Sequence, residues 1–265
     1  MTEPLLPPAF RLTDSVALVT GAGAVDGIGF ATARLLAALG AHVAVAATTT
    51  RIHDRAADLS ASGVRATGHI ADLTQPDQVA ELVADVVDQH GRLDIVVNNA
   101  GMVSVGTEGE GGSVADMTVA TWRAGMARNL DTAFFVVSAA LPILPDGRGR
   151  IVNVSSVTGP VMAMRREAGY AAAKAGMVGL TRSLAVDLGA RGITANAVAP
   201  GWIATGSQTE DESRQARATP VGRSATPDEV AAVIAWLCTP GAAYVTGQCI
   251  VVDGGNSIAE ERLWG

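Results

Sequence analysis

The chain has 265 residues, of which 48% are hydrophobic, and a formal net charge of −7. This length is near the upper size of one hydrophobic core, and an acidic balance without a run of Lys or Arg argues against a nucleic-acid partner. No apolar stretch is long enough to span a membrane, and the N-terminus lacks the basic and apolar regions of a signal peptide. We therefore predict a cytoplasmic protein with no membrane partner.

Short apolar runs alternate with helical periodicity along the chain. Strands are predicted at residues 16–20, 42–47, 65–70, 94–98, 149–155, 194–199 and 249–253, and helices at 27–39, 51–61, 75–90, 117–142, 170–189 and 226–238. This alternation predicts an α/β fold, a single doubly wound, Rossmann-type domain over 1–265 whose parallel sheet of about seven strands carries helices on both faces. Residues 1–11 are expected to be a loose lead-in, 106–113 a loop beside the site, and 202–219 a substrate lid. Cys238 and Cys249 are expected to be buried thiols rather than a disulfide.

A glycine-rich turn follows the first predicted strand. Gly21, Gly23, Gly27 and Gly29 lie between the apolar run that ends at Thr20 and a helical pattern. Glycine permits positive φ and close backbone approach, and the free N–H groups of the new helix can face a pyrophosphate. The turn therefore predicts a dinucleotide-binding loop, with an ordinary tight turn as the alternative.

Tyr170 and Lys174 are separated by one helical turn in Tyr170-Ala-Ala-Ala-Lys174. This spacing places the phenol and the ammonium on the same helix face. A nearby ammonium favours phenolate, so we expect the pKa of Tyr170 to fall below its free value of about 10. Such a tyrosine can act as a general acid or base near neutral pH. The spacing alone also occurs by chance on amphipathic helices.

Together with further motifs in the same order, these features resemble the short-chain dehydrogenase/reductase family. The further motifs are Asn98-Asn-Ala-Gly101, Asn129, Ile151-Val-Asn-Val-Ser-Ser156, Pro200-Gly-Trp-Ile-Ala-Thr205 and Val251-Val-Asp-Gly-Gly255. The resemblance extends from about residue 12 to 256 and is closest in character to the 3-oxoacyl-carrier-protein reductase and carbonyl reductase branch. Five residues rather than three separate Gly21 from Gly27, which leaves open whether Gly21 or Gly23 meets the cofactor. The loop from Ser156 to Tyr170 is one residue longer than the commonest family spacing.

The resemblance implies a catalytic role for four residues. Ser156 would hydrogen-bond the substrate oxygen, and Tyr170 would transfer the proton. Lys174 would lower the pKa of Tyr170 and hold the nicotinamide ribose, and Asn129 would hold a water of the proton relay. The implied cofactor-binding residues are Gly21, Gly23, Gly27, Ile28, Gly29, Thr48, Thr49, Arg51, Asp72, Leu73, Asn99, Ala100, Gly101, Tyr170, Lys174, Pro200, Gly201, Ile203 and Thr205. No metal site is expected.

The end of the second strand bears on the choice of dinucleotide. NAD enzymes usually place Asp or Glu there to bind the ribose 2′-hydroxyl. Here Ala47 holds that position, and Thr48, Thr49 and Arg51 follow and can bind a 2′-phosphate. Asp26, where many NADP-preferring relatives carry a basic residue, argues the other way. NADP(H) is favoured over NAD(H), and a solvated Arg51 is the alternative interpretation.

The predicted reaction is hydride transfer between a nicotinamide cofactor and a ketone or secondary alcohol. The alternatives are an NAD-dependent alcohol dehydrogenase of the same family and a non-catalytic NADP-binding regulator. An adaptable apolar substrate pocket is predicted from Met102, Val157, Met162, Met164 and Trp202. Arg165 and Arg166 could meet an acidic carrier protein or simply be solvated. The nearly all-apolar run Thr132–Leu141 predicts a homotetramer or homodimer.

Overall fold

The computed structural model describes residues 6–101 and 112–260. The strands are β1 (Val16–Thr20), β2 (His42–Ala47), β3 (Ala66–Ile70), β4 (Ile95–Asn98), β5 (Arg150–Val154), β6 (Thr194–Pro200) and β7 (Cys249–Val252). The helices are α1 (Ile28–Ala38), α2 (Arg51–Ser60), α3 (Pro76–His90), α4 (Val119–Met126), α5 (Thr132–Ala140), α6 (Ala168–Leu188), α7 (Glu210–Arg217) and α8 (Pro227–Cys238).

The seven strands form one parallel sheet in the order β3-β2-β1-β4-β5-β6-β7. Strand order reverses between β1 and β4, and doubly wound sheets bind ligands at that switch point. The predicted α/β fold is therefore confirmed. Because all strands run the same way, the segments that follow β1, β4, β5 and β6 meet at one edge of the sheet, which we call the carboxyl edge.

Two apolar clusters cover the two faces of the sheet. One cluster unites α1, α2 and α8 with alternate strand residues such as Ala17 and Val19. The other unites α3, α5 and α6 with the intervening residues, such as Val16 and Leu18. Successive strand side chains point to opposite faces, so a strand buried on both faces must be apolar throughout. This explains why the strands are continuous hydrophobic runs.

The predicted helix at 117–142 is interrupted. A π turn, Ala127–Asp131, separates α4 from α5 and contains the buried Asn129. Single π turns inside helices are common at functional sites, and apolar periodicity does not reveal them because the pattern continues on either side.

The segment 202–219, predicted as a substrate lid, contains the helix α7, which the sequence analysis did not predict. That helix is polar on almost all sides and buries only Ala216, so it has no apolar stripe to detect. Thr209 and Glu212 form a capping box at its start. The Thr-x-x-Glu spacing is the sequence signal that could have revealed this helix.

Neither cysteine is in a disulfide, as predicted. Cys238 is buried, and burial raises the pKa of its thiol to about 12, whereas Cys249 is only partly buried. Within residues 6–101 and 112–260, no helix has the length and apolar character needed to cross a membrane.

Candidate active site

The glycine turn between β1 and α1 is packed against the end of β4. Gly21 has φ +65°, and a Cβ there would lie 2.8 Å from the Ala100 Cα. A Cβ at Gly29 would lie 2.5 Å from the Asn99 Nδ2 atom. Both positions require glycine, because a side chain at Gly21 would collide with the Ala100 backbone and one at Gly29 with the Asn99 side chain and the Gly21 carbonyl. A Cβ at Gly23 would instead lie 3.1 Å from the Ala47 Cβ, at the end of β2.

The extra residues of this turn lie on its outside. Ala24, Val25 and Asp26 are exposed, whereas Gly23 is buried. Gly27 is the N-cap of α1, and no side chain caps the helix. The backbone N–H groups at Ile28 and Gly29 therefore begin a helix whose N-terminus has no side-chain partner, as an anion-binding turn requires. The extra residues of the turn therefore lie on its solvent-exposed side, and Gly23 stays buried.

Asn99 joins the turn to β4. Its Nδ2 donates to the carbonyls of Thr20 at 3.1 Å and Gly21 at 3.0 Å, and the Thr20 hydroxyl accepts from the N–H groups of Asn99 and Ala100, each at 3.1 Å. These bonds hold the β1 and β4 ends together at the switch point. Gly101 has φ +124°, and a Cβ there would lie 3.0 Å from the Asn129 Oδ1 atom.

Asn129 is held by its amide nitrogen and has an unpaired oxygen. Its Nδ2 donates to the Gly125 carbonyl at 3.2 Å, while its Oδ1 is buried and has no hydrogen-bond partner among residues 6–101 and 112–260. Buried polar atoms are normally satisfied by protein or by water. The unpaired oxygen beside Gly101 is thus a place for a bound water.

Ser156, Tyr170 and Lys174 come together where β5 meets α6. The Ser156 hydroxyl oxygen accepts from the Thr158 N–H at 3.1 Å and is hydrogen-bonded to the Tyr170 hydroxyl. The Lys174 Nζ lies 5.7 Å from the centroid of the Tyr170 ring and donates to the Val154 carbonyl at 3.0 Å. Ser155 ties the two elements together, since its hydroxyl donates to the Lys174 carbonyl at 2.8 Å.

The expected lowering of the Tyr170 pKa is not what this structure shows. Burial raises the pKa of Tyr170, and only the hydrogen bond from Ser156 opposes that rise. Lys174 is itself fully buried, and burial lowers the pKa of its ammonium to about 8. Burial thus shifts both groups toward their neutral forms. The spacing of Tyr170 and Lys174 in the sequence does not reveal this burial.

The residues after β2 are accessible. Thr48, Thr49 and Arg51 are exposed, and the Arg51 Nε donates to the Thr49 hydroxyl at 3.3 Å. The Asp26 carboxylate lies against Gly206. A Cβ at Gly206 would lie 2.3 Å from the Asp26 Oδ2 atom. After β3, Leu73 is buried, and the Asp72 carboxylate accepts from the Thr74 N–H at 3.0 Å and the Thr74 hydroxyl at 2.7 Å.

The chain after β6 closes the site from the other side. The Pro200 carbonyl accepts from the Val157 N–H at 3.0 Å, and a Cβ at Gly201 would lie 2.7 Å from the Asp253 Cβ. Ile203 forms a bridge with Ala225, and the Thr205 hydroxyl lies 3.0 Å from that of Ser207. This segment is therefore fixed by β7 and by the loop before α8.

Comparison with known proteins agrees with this geometry. A family model described as enoyl-(acyl carrier protein) reductase matches residues 21–257. The 3-oxoacyl-[acyl-carrier-protein] reductase of Synechocystis sp. is 40% identical over 250 residues, covering 92% of this chain and 97% of that protein. The chain belongs to the short-chain dehydrogenase/reductase family.

Two further members of the short-chain dehydrogenase/reductase family extend the comparison. The cyclohexanol dehydrogenase of an Acinetobacter species is 36% identical over 92% of this chain and 95% of that protein. A short-chain dehydrogenase from Burkholderia cenocepacia, solved in complex with NADP, superposes with a TM-score of 0.85 at 35% identity over 93% of this chain and 99% of that one. This chain is accordingly an oxidoreductase that binds a nicotinamide cofactor and acts on a small-molecule substrate.

The described residues of this short-chain dehydrogenase/reductase fit a dinucleotide. The turn at Gly21 and Gly29 leaves no room for side chains, and the N-terminus of α1 beside it has no side-chain cap. A phosphate approaching that turn meets backbone N–H groups alone. The candidate cofactor residues that are described all follow the carboxyl ends of β1, β2, β3, β4 and β6, or lie at the start of α6.

The predicted pocket residues that the structure describes differ in their surroundings. Met102 lies outside the described residues, and Met164 is 44% exposed. Val157 is buried, and its carbonyl accepts from the Met162 N–H at 2.9 Å. Trp202 instead lines a cleft of about 140 Å³ with Thr219, Val221, Arg223, Ala225, Glu229, Val252, Asp253 and Gly254.

Sequence reasoning missed Glu167 in this dehydrogenase/reductase site. Glu167 is the N-cap of α6, three residues before Tyr170, and its Oε2 is buried with no partner among the described residues. Burial raises the pKa of the Glu167 carboxyl, and the charge of Glu212 on α7 raises it further. Both carboxylates also raise the pKa of Tyr170, so two negative charges from different elements oppose ionisation of the phenol. Arg166, in contrast, is turned to Asp116, at 3.3 Å.

Proposed function

We propose that this protein is an NADP(H)-dependent reductase of ketones, of the carbonyl reductase or 3-oxoacyl reductase type. The observation that carries the proposal is the hydrogen bond between the Ser156 and Tyr170 hydroxyls, together with the buried Lys174 Nζ at 5.7 Å from the centroid of the Tyr170 ring. A proton donor and a second hydroxyl next to each other are what a carbonyl oxygen needs as it becomes an alkoxide.

Ser156, Tyr170 and Lys174 have different roles in the proposed reaction. The nicotinamide cofactor, when bound, supplies or accepts the hydride. The Ser156 oxygen accepts from the Thr158 N–H, and its proton, which is hydrogen-bonded to Tyr170, would turn to the substrate oxygen, where negative charge develops. Tyr170 transfers the proton to or from the same oxygen. Lys174 is anchored by the Val154 carbonyl and keeps its other protons for Tyr170 and the cofactor ribose.

Asn129 completes the proton path. Its unpaired Oδ1 would hold a water between Lys174 and solvent, so that Tyr170 can be reprotonated after each turnover. The π turn supports this role because it places the side chain in the interior while its Nδ2 stays bound to Gly125.

Turnover with a substrate panel tests the proposal. NADPH and NADH oxidation would be followed with neutral ketones, ketones that carry a carboxylate, and 3-oxoacyl thioesters. We expect turnover of ketones with NADPH. Preference for NAD⁺ with a secondary alcohol would favour the alcohol dehydrogenase, the activity named for the Acinetobacter relative. Tight dinucleotide binding without turnover of any substrate would favour the regulator.

The preference for NADP(H) is proposed from the end of β2. No acid stands at Ala47, Arg51 is exposed beside Thr49, and Asp26 lies against Gly206. We expect Arg51→Ala to raise the KM for NADPH, and Ala47→Asp to raise it by roughly fivefold, since one repulsive charge contact with the 2′-phosphate is worth on the order of 1 kcal/mol. The KM for NADH should be unchanged or lower in both variants.

The control for this test is Arg65→Ala, an arginine at the amino end of neighbouring β3 whose guanidinium donates to the Gln89 carbonyl. It changes the protein charge equally without touching the end of β2. Equal KM changes for NADPH and NADH in Arg51→Ala would contradict the assignment.

Glu167 is proposed to discriminate among substrates by charge. We expect Glu167→Gln to raise kcat/KM roughly fivefold for ketones carrying a carboxylate, because it removes a repulsion of about 1 kcal/mol. Neutral ketones should change little. The Glu167 charge raises the pKa of Tyr170. In Glu167→Gln, the alkaline limb of the pH–rate profile for alcohol oxidation should therefore move to lower pH. An equal effect on charged and neutral ketones would reject this role.

A homodimer or homotetramer is proposed from the outer surface of α4–α6. Val119, Trp122, Phe134 and Val186 are exposed there, with Phe134 at 51% and Val186 at 82%. Contiguous exposed apolar residues mark association surfaces. We expect light scattering to give two or four times 26.9 kDa, and Phe134→Glu to shift the mass toward the monomer. Ala57→Glu, at an exposed position of α2, is the control. A monomeric wild-type protein would reject the assembly.

A further inference from the structure

A second cleft opens at the amino edge of the sheet, opposite the candidate active site. Its volume is about 300 Å³, and it lies between the segment before β1, the first residues of β4 and β5, and the end of α8. The lining residues are Arg11, Leu12, Thr13, Ser15, Ile95, Arg148, Arg150, Cys238 and Pro240. No step of the proposed reaction uses them.

The charge of this cleft is one-sided. Three of its lining residues are arginines, and none of the described residues that line it is acidic. Asp14, between the lining residues Thr13 and Ser15, is exposed and is not among the residues that line the cleft. Asp94, next to the lining residue Ile95, is already engaged: its carboxylate accepts from Arg92 at 2.6 Å and 2.8 Å and from the Val16 N–H at 2.9 Å. Asp94 therefore cannot neutralise the cleft.

Arg150 shows the consequence most clearly. It is only 4% exposed, and its Nη1 donates to the Gly149 carbonyl at 2.8 Å, but its Nε is buried and has no partner in the part of the chain that the structure describes. Burial and the neighbouring charge of Arg148 both lower the pKa of Arg150. Buried guanidinium groups are normally paired, because an unpaired buried charge costs several kcal/mol. The site has the donors for an anion and no anion of its own.

We propose that this cleft binds a phosphate group, either as inorganic phosphate or on a small organic phosphate. Guanidinium groups bind such oxyanions through paired N–H donors, and three arginines line this cleft. The Ser15 hydroxyl, which accepts from the Arg148 Nη2 at 3.3 Å, and the Thr13 hydroxyl add polar groups at the rim. The cleft has room for a ligand somewhat larger than phosphate itself.

The test is a titration with inorganic phosphate and, separately, with a small sugar phosphate, at constant ionic strength. The glycine turn must be blocked during the titration, so the dinucleotide that supports turnover is present at saturation. Binding is followed by calorimetry and by the melting temperature, which a ligand of the folded state raises. We expect saturable binding of one phosphate per chain, with a higher melting temperature.

Two variants localise the ligand. Arg148 is exposed, so Arg148→Gln should fold normally and weaken binding at least tenfold, the effect of losing about 1.4 kcal/mol of a charge-assisted contact. Arg150→Met should abolish binding, and its circular dichroism melt shows whether it folds. Arg65→Gln, which also removes one positive charge, should bind as the wild type does. Absence of saturable binding, or equal binding by wild type and Arg148→Gln, would overturn the proposal.

Comparing the affinities for inorganic phosphate and for the sugar phosphate shows which of the two kinds of ligand the cleft prefers. Tighter binding of the sugar phosphate identifies an organic phosphate as the occupant, and equal affinity identifies the phosphate group alone. Either result supports the site. Turnover should persist in Arg148→Gln, so a failed phosphate titration would not be confused with failure of the proposed reductase activity.

Discussion

Replacing Tyr170 with Phe is expected to reduce turnover by at least 10²-fold and up to about 10⁴-fold, the range for a general acid in the transition state. The substitution removes one oxygen from a side chain that touches the Ser156 hydroxyl and lies over Lys174. Ring packing stays the same, so the fold and the cofactor cradle at Gly21 and Gly29 should persist. We therefore expect a nearly unchanged Kd for the dinucleotide, measured by fluorescence titration.

The chain supplies its own control for this experiment. Tyr244 is the second of two tyrosines and is fully exposed, so Tyr244→Phe removes the same atom from solvent. It should keep wild-type turnover. Retention of more than a tenth of kcat in Tyr170→Phe would show that another group supplies the proton.

Replacing Lys174 with Ala is expected to impair both turnover and dinucleotide affinity, and to move the pH profile. Proton loss from the buried Lys174–Tyr170 pair begins near pH 8, because burial lowers the pKa of the lysine to about 8 while it raises that of the tyrosine. Without Lys174, the phenol alone must lose the proton. The alkaline limb of the pH–rate profile for alcohol oxidation should therefore move from near pH 8 to above pH 10.

Lys174→Met serves as the matched variant, because its unbranched chain fills the buried space without the charge. It should reproduce the shifted profile of Lys174→Ala with less loss of thermal stability, since no cavity is left. Glu167→Gln should move the limb in the opposite direction, which distinguishes a charge effect from general damage. An unchanged pH–rate profile in both lysine variants would show that Lys174 only packs the interior.

Local patterns were enough to predict the architecture and the order of the motifs. Continuous apolar runs such as Val16–Thr20 must be buried on both faces, and that requirement alone leads to a parallel sheet covered by helices. The glycines at 21 and 29 and the Tyr170–Lys174 pair could be read because their spacing follows from backbone geometry. Strand burial and motif spacing depend on residues that are close together in the sequence, so they can be predicted from the sequence alone.

Other properties depend on which distant segments meet. Burial set by β5 and α6 raises the pKa of Tyr170 and lowers that of Lys174, against the expectation from their spacing. Glu167 is important only because its unpaired oxygen is buried near Tyr170 and Glu212. Arg11, Arg148 and Arg150 are far apart in the chain and become one cleft when the amino ends of β1, β4 and β5 align. Desolvation and long-range charge are properties of the packed molecule, so the tertiary structure decided them.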